Sequence, residues 1–318
     1  MNPNDQTAPS PRSLRIGTRG SDLALWQAHH VQDLLRVMGA DTELEIIQTR
    51  GDRIDDVPFS KLEGKGFFTK ELEDAQLDGR VDLAVHSMKD LSSEMPPGLV
   101  TCALIGREDP RELLLIRPEA VDEARLAAGD PMPVREGGSI GTSAARRQAQ
   151  VRELRPDLEI IDLRGNVPTR IRKLREGQYD AILLARAGVT RLELDISDLH
   201  VEELDVEVFV PAPAQGMLAI QCRDDAELID FLNGLETVEA ARAVKGERRL
   251  LEKLDGGCQL PFGVNIRPHD GAFRLVCFWS PAADADDPLR FDLEGPDPLA
   301  LADEAHTRIL KAKENLES

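Results

Sequence analysis

The chain has 318 residues, 41% hydrophobic and 31% charged, with a formal net charge of −19. That length suits two or three domains better than a single core. The charge excludes a general nucleic-acid binder, which needs a broadly basic surface, and no apolar run approaches a membrane span.

Residues 1–12 have no apolar core and read as a disordered tail rather than a signal peptide. A short strand at 14–17 ends in a turn, where Ser21 or Asp22 caps a helix. Ala24, Ala28, Val31, Leu35 and Met38 recur along it at helical spacing, and Gly39 closes it. A strand at 44–48 leads into a polar, glycine-bearing stretch at 51–66 and a short helix at 69–78. Val81, Leu83 and Val85 then alternate as a strand that delivers His86-Ser87-Met88-Lys89-Asp90 at its C-terminal end.

Glu108-Asp109-Pro110-Arg111 reads as a hinge. The alternation restarts with strands at 112–116, near 139–141, at 159–163 and at 180–185, with helices from Thr142 and near 169–176. Pro211-Ala212-Pro213 marks a second crossing. A third unit starts near 239 with a charged helix. It continues through the loop that carries Cys258 and strands around 273–278, and closes with a helix after Pro298. Repeated β–α–β order predicts mostly parallel sheets, in which ligands sit beyond the strand C-termini. No internal sequence repeat is visible.

Chemistry concentrates in a few places. Between Arg146 and Arg191 there are eleven Lys and Arg against six Asp and Glu, a positive island suited to a carboxylate- or phosphate-rich ligand. Arg172, Lys173 and Arg175 read as its solvated helical face. Gly141-Thr142-Ser143-Ala144-Ala145-Arg146-Arg147 sets hydroxyls and free amides at a helix N-terminus, with paired arginines one turn on. Leu163-Arg164-Gly165-Asn166 repeats the arrangement and ends in Arg170, while Thr18-Arg19-Gly20-Ser21 offers it in the first lobe. Lys61-Leu62-Glu63-Gly64-Lys65-Gly66-Phe67-Phe68 reads as a basic, aromatic-tipped segment able to close over a ligand, or as an ordinary surface loop. It lacks the GxxxxGK[ST] pattern of a phosphate-binding P-loop. Asp90 is the misfit among these cations, a carboxylate suited to stabilising positive charge as it develops.

Cys258 lies in Gly256-Gly257-Cys258-Gln259-Leu260-Pro261, a loop that another group can approach closely. The chain's four cysteines (102, 222, 258 and 277) include no CxxC pair. They point to a reducing compartment, with the cytoplasm as the default, and the histidines suggest no metal site.

The ordered set GTRGSDLALWQA, TRGD, GKGFFTKELE, DLAVHSMKDL, GREDPRE, GTSAARRQAQ, LRGNVPTR, YDAILLARAGVTRL, PAPAQGMLAIQCR and GGCQLPFG resembles the porphobilinogen deaminase (hydroxymethylbilane synthase) family, from about residue 14 to 263. The resemblance implies a transferase of the tetrapyrrole pathway that joins four porphobilinogen molecules head to tail into linear hydroxymethylbilane, with release of ammonia. It implies a dipyrromethane cofactor bound by thioether to Cys258, and Asp90 as the catalytic carboxylate that stabilises a positively charged azafulvene. Lys89, Thr142, Ser143, Arg146, Arg147, Arg170 and Gly188 match cofactor-contacting positions. Arg19, Ser21, Arg164 and Arg191 match positions that hold substrate or the elongating chain. Lys61, Lys65 and Phe68 match the active-site loop.

The implied fold class is α/β in three domains: 13–107 with 217–234, 111–209, and a small α+β domain at 239–318. The first two resemble the two-lobed, cleft-bearing architecture of periplasmic binding proteins. A monomer is expected, with no nucleic-acid or membrane partner and with hand-over of product to the next pathway enzyme. Four departures from the family pattern stand out: Glu63, Ala144, Pro168 and Arg186. The rival readings are a non-catalytic binder of a polycarboxylate ligand, which needs no thiol at Cys258, and a cysteine-nucleophile hydrolase or acyltransferase. The second rival needs a base such as His86 or His269 beside that thiol.

Overall fold

The structure is a computed structural model that describes residues 13–49, 69–254 and 260–317. Its first lobe opens with β1 (Ser13–Thr18), α1 (Asp22–Val37), β2 (Asp41–Ile46), α2 (Lys70–Leu77), β3 (Leu83–Ser87) and β4 (Leu99–Ile105). The second holds β5 (Glu112–Ile116), α3 (Glu123–Ala127), β6 (Ser139–Gly141), α4 (Ala145–Leu154), β7 (Glu159–Ile161), α5 (Val167–Arg175), β8 (Ala181–Ala185), α6 (Arg186–Arg191) and β9 (His200–Leu204). The chain then returns to the first lobe with β10 (Leu218–Arg223) and α7 (Ala226–Asn233). The third unit comprises α8 (Val238–Lys253), β11 (Phe262–His269), β12 (Ala272–Trp279), β13 (Leu289–Gly295) and α9 (Pro298–Glu317).

The two lobes share one topology, with sheet orders β2-β1-β3-β10-β4 and β7-β6-β8-β5-β9. In each, three strands linked by helices run parallel, and the strand next to a crossing inserts antiparallel between them and an edge strand that runs the same way as the three. Four of the five strands in each sheet therefore run the same way, as expected, and the one reversed strand, β10 or β5, makes two of the four pairings antiparallel. The β–α–β pattern conveys only the parallel half, because β10 enters its sheet from more than a hundred residues downstream. Central strands covered on both faces read as apolar runs, as in fully buried β5 and the Ala181–Leu184 part of β8. The third unit is an antiparallel β11-β12-β13 sheet with α8 and α9 packed against it, around Leu250, Val264, Ile266, Leu275, Cys277 and Ile309.

Two crossings join the lobes and pass at contact distance. Glu108 N–H donates to Gly216 O at 3.0 Å. Gly216 has φ +87°, and a Cβ there would sit 2.1 Å from Glu108 O, so only glycine lets the crossings touch. Arg186, the departure without a sequence rationale, now has one. Its guanidinium pairs with Asp109 at 2.9 Å and Glu203 at 2.7 Å, while Arg111 grips the same two carboxylates. The network fastens the first crossing to the second lobe.

Glu247 on α8 ties the third unit to both crossings. It is fully buried and accepts from Arg107 Nη2 at 2.7 Å, Ala214 N at 2.6 Å and Ile266 N at 2.7 Å. Burial raises its pKa, against the pull of Arg107 and of the two amides. Glu247→Ala strands a guanidinium and two amides, and is expected to lower unfolding stability by about 3–5 kcal/mol. Urea unfolding measures it; a loss below about 1 kcal/mol contradicts the assignment.

Candidate functional site

The chemistry-bearing segments lie at the C-terminal ends of parallel strands in both lobes, where open α/β sheets bind ligands. In the first lobe, β1 ends at Thr18 and passes into Arg19, Gly20 and Ser21, and Ser21 Oγ caps α1 by accepting from Ala24 N at 3.4 Å. The cap is the expected one, and Gly39, with φ +83°, follows the cap residue Met38. β3 ends in a turn of 3-10 helix, Met88–Asp90, braced by the bond from Met88 N to Met217 O at 2.9 Å. Lys89 Nζ donates to Gln215 Oε1 at 3.2 Å, and Gln215 Nε2 donates to Pro110 O at 2.8 Å. Gln215 is thus tied both to the KD segment and to the hinge. Sequence reading passed it over inside PAPAQGM, where nothing distinguished it from an ordinary turn residue.

In the second lobe, α4 starts three residues later than expected. Thr142 and Ser143 stay outside the helix, where Ser143 Oγ donates to Leu163 O at 3.1 Å and accepts from Leu163 N at 3.0 Å, stapling two loops together. Ala144 becomes the N-cap, with no side-chain cap bond, so the departure there leaves the start of α4 without a hydroxyl. Pro168 sits in the first turn of α5, behind the Asn166 cap, where its missing N–H costs nothing. Gly188 on α6 lies where the lobes touch. A Cβ there would meet Val167 at 3.3 Å and Leu23 of the first lobe at 3.9 Å.

Arg146 and Arg147 converge on one fully buried carboxylate, Glu112. Arg146 Nη2 reaches Oε1 at 2.5 Å, while Arg147 donates from Nε to Oε1 at 3.1 Å and from Nη2 to Oε2 at 2.8 Å. Glu112 also escaped sequence reading, hidden at the start of an apolar strand directly after the hinge. The only signal was an acid heading the run ELLLI. The two arginines hold its carboxyl well below the usual carboxylate range, overcoming burial, with a further contribution from Lys89.

The cations of the two lobes act on one another across the cleft. Burial lowers the Lys89 pKa, with Arg147 and Arg146 adding to the effect and Asp90 and Glu112 opposing it. Arg170 is lowered to about 10 by burial and by Arg147, against Asp90 and Glu112. Arg170 Nε donates to Gly165 O at 2.8 Å. Asp90 is exposed and, among the described residues, makes no ion pair or hydrogen bond of its own. Four cations (Lys89, Arg146, Arg147 and Arg170) thus face two carboxylates, Asp90 and Glu112. A desolvated excess of positive charge is costly alone and suits an anionic occupant.

Arg164 is half-buried at the start of the loop before α5, and its carbonyl accepts from Lys173 Nζ at 3.1 Å. Arg19 is also half-buried and close enough to act electrostatically on His86. Arg191 turns to the hinge: Nη2 donates to Gly106 O at 3.1 Å and Gly216 O at 2.6 Å, and the guanidinium lies 5.5 Å from the Trp26 ring centroid. Burial lowers its pKa to about 10, opposed by Glu108. Cys258, Lys61, Lys65, Phe68, Glu63 and the tail at 1–12 lie outside the described residues. Among the described residues no group of His, Cys, Asp and Glu is arranged to hold a metal ion.

The family model described as "Porphobilinogen deaminase, dipyromethane cofactor binding domain" matches residues 14–230, the span of both lobes. The chain belongs to the porphobilinogen deaminase family. Among similar proteins, porphobilinogen deaminase of Trichlorobacter lovleyi is 43% identical over 308 residues, covering 95% of each chain, which reaches well into the third unit. That of Sulfurimonas denitrificans is 46% identical over 256 residues, covering 80% of this chain and 79% of that one. The periplasmic VFT2 domain of Bordetella pertussis BvgS superposes at a TM-score of 0.41 and 13% identity over 70% of this chain and 85% of its own, too low to bear on the fold. The matched stretch of this porphobilinogen deaminase family member is a dipyrromethane-binding domain, and the surplus of buried arginine and lysine fits a group that carries several carboxylates. No helix among the described residues is long and apolar enough to cross a membrane.

His86, considered as a base for the rival hydrolase, is instead packed into the first lobe. Its Nε2 lies 3.1 Å from Gln221 Oε1, which also accepts from Gln76 Nε2 at 2.9 Å. Burial, aided by Arg19, lowers its pKa from 6.5 to about 4 against the hydrogen bond to Gln221. Above pH 6.5 neither folded nor unfolded chain binds this proton and its full contribution is present. As pH falls toward 4 the unfolded chain takes up a proton that the folded one refuses, and stability drops. Between pH 7.5 and 5 this site is expected to cost about 2 kcal/mol. Denaturant unfolding of the wild type and His86→Gln checks it: the variant should lose that part of the slope, and an unchanged slope refutes it.

Proposed function

We propose that this chain joins four porphobilinogen molecules head to tail into hydroxymethylbilane, releasing one ammonia at each addition, on a dipyrromethane primer held by thioether at Cys258. The observation that carries the reading is the cluster in which Lys89 and Arg170 interact with Arg147, Glu112 and the uncommitted carboxylate Asp90, in a chain whose two lobes match the family model. When bound, the cofactor supplies a nucleophilic pyrrole carbon as the starting end of the chain.

The protein's own residues do the rest. Lys89, Arg146, Arg147 and Arg170, with the hydroxyls of Thr142 and Ser143 and the close approach at Gly188, hold the cofactor's acetate and propionate groups. Arg19, Ser21, Arg164 and Arg191 receive the carboxylates of incoming substrate and of the lengthening chain. Each added ring brings two more acids, which explains why arginine, with its bidentate fork, dominates here. Asp90 faces the substrate's pyrrole N–H and stabilises the positive charge that develops as ammonia departs. Lys61, Lys65 and Phe68 close over the reacting ring.

We assign the domains as 13–107 with 217–234, 111–209 and 239–318, each centred on one sheet. The chain works as a cytoplasmic monomer that passes its product to the next pathway enzyme. The polycarboxylate-binder alternative predicts tight binding without turnover. An assay of purified chain with porphobilinogen separates the two. Release of four ammonia per hydroxymethylbilane supports the proposal, and binding without ammonia release rejects it.

A further inference from the structure

Glu112 is a negative charge placed where the site otherwise gathers positive charge. It sits at the first residue of β5, paired across the sheet with Ala185 on one side and Leu204 on the other, so its backbone is fixed from both flanks. Three N–H donors from Arg146 and Arg147 converge on its two oxygens. Each arginine is also anchored by a carbonyl: Arg146 Nη1 donates to Val210 O at 2.7 Å and Arg147 Nη1 to Leu183 O at 2.9 Å.

A guanidinium has five N–H donors in a planar fork. Glu112 occupies the Nε/Nη2 edge of Arg147, and with Leu183 O it fixes the plane and leaves two N–H groups uncommitted. Arg146, tied at Nη1 and Nη2, keeps three. One carboxylate against two arginines also leaves one positive charge over. A second carboxylate in the same place would cancel it, and an uncharged residue would leave two repelling guanidinia with no fixed orientation.

We propose that Glu112 is a positioning residue for the reaction: it docks Arg146 and Arg147 by one edge each, so that their remaining N–H groups meet the carboxylates of the cofactor in a set geometry. This rests on the dipyrromethane reading above. The same carboxylate shields the arginines from small inorganic anions while the site awaits its ligand.

The test follows loading of the full chain, produced without cofactor in cells that make no porphobilinogen. Porphobilinogen is added, the mass gained on Cys258 is followed with time, and circular dichroism and melting temperature report the fold separately. In Glu112→Gln, loading is expected to slow roughly tenfold, the loss of about one charge-assisted hydrogen bond. Inorganic phosphate should also inhibit it at roughly tenfold lower concentration, because an unoccupied guanidinium edge captures small anions. Glu112→Asp, which keeps the charge but withdraws it by one methylene, should fall between Gln and wild type in both measures.

A folded Gln variant with the wild-type loading rate and phosphate sensitivity overturns the proposal. If Gln does not fold, the Asp variant decides. Slower loading with raised phosphate sensitivity supports the proposal, and wild-type values for both overturn it. A wild-type chain that never gains the mass overturns the dipyrromethane reading instead.

Discussion

Cys258→Ala is expected to give a folded chain that never carries two linked pyrroles and makes no hydroxymethylbilane. What is lost is the one sulfur in a segment bounded by structure on both sides. The chain leaves α8 at Leu254, and Phe262 N donates to Leu260 O at 2.8 Å on its return. There, Val264 N donates to Pro211 O at 3.1 Å, and a Cβ on Gly263 would press on Val210 O at 2.8 Å. The start of β11 is therefore pinned to the second crossing, beside the lobe junction. If the thiol is the proposed anchor, Cys258→Ser should fail almost as completely, because a hydroxyl is a far weaker nucleophile near neutral pH. Full turnover by either variant, measured as hydroxymethylbilane formed, removes the anchoring role.

Asp90→Ala has the second large effect. A carboxylate set against developing positive charge is worth on the order of 10²- to 10³-fold in rate when removed, and that loss is expected in kcat. Fold and cofactor content should persist, since Asp90 is exposed and makes no ion pair among the described residues. Its loss also raises the net positive charge around Lys89 and Arg170, so KM for the anionic substrate should not worsen. Asp90→Glu keeps charge and moves it by one methylene, and should recover only part of the rate. Steady-state kinetics on variants with verified cofactor decide the matter. A kcat within about threefold of wild type in Asp90→Ala contradicts the role.

The sequence exposes what is local. The cap at Ser21, the strand at 112–116, and the delivery of Lys89 and Asp90 by β3 follow from residues near each other in the chain, and they stand where expected. Long-range pairing left no local mark. β4 and β10 form the antiparallel half of the first sheet, yet TCALI and LAIQC each look like any apolar stretch. Likewise, the common topology of the two lobes has no counterpart as a repeated sequence.

The site divides in the same way. Its arginines were visible as a cluster of charge, but the partners that set their geometry were not. Glu112 lies 34 residues before Arg146, and Gln215 lies 126 after Lys89. Ser143 stands at an expected cofactor position, and its hydroxyl also staples two loops through Leu163, a bond that leaves no local mark in the sequence. Arg191, expected to hold substrate, also binds the hinge carbonyls of Gly106 and Gly216 through Nη2. A residue type announces a chemistry, and packing decides which neighbour receives it.

Intact-protein mass spectrometry of the purified chain, followed by mapping of the peptide that contains Cys258, tests the central claim most directly. The account predicts an added mass of two linked pyrrole units, confined to that peptide and absent from Cys258→Ala. A chain that turns over porphobilinogen with an unmodified Cys258, or that carries the added mass at Cys102, Cys222 or Cys277, contradicts it.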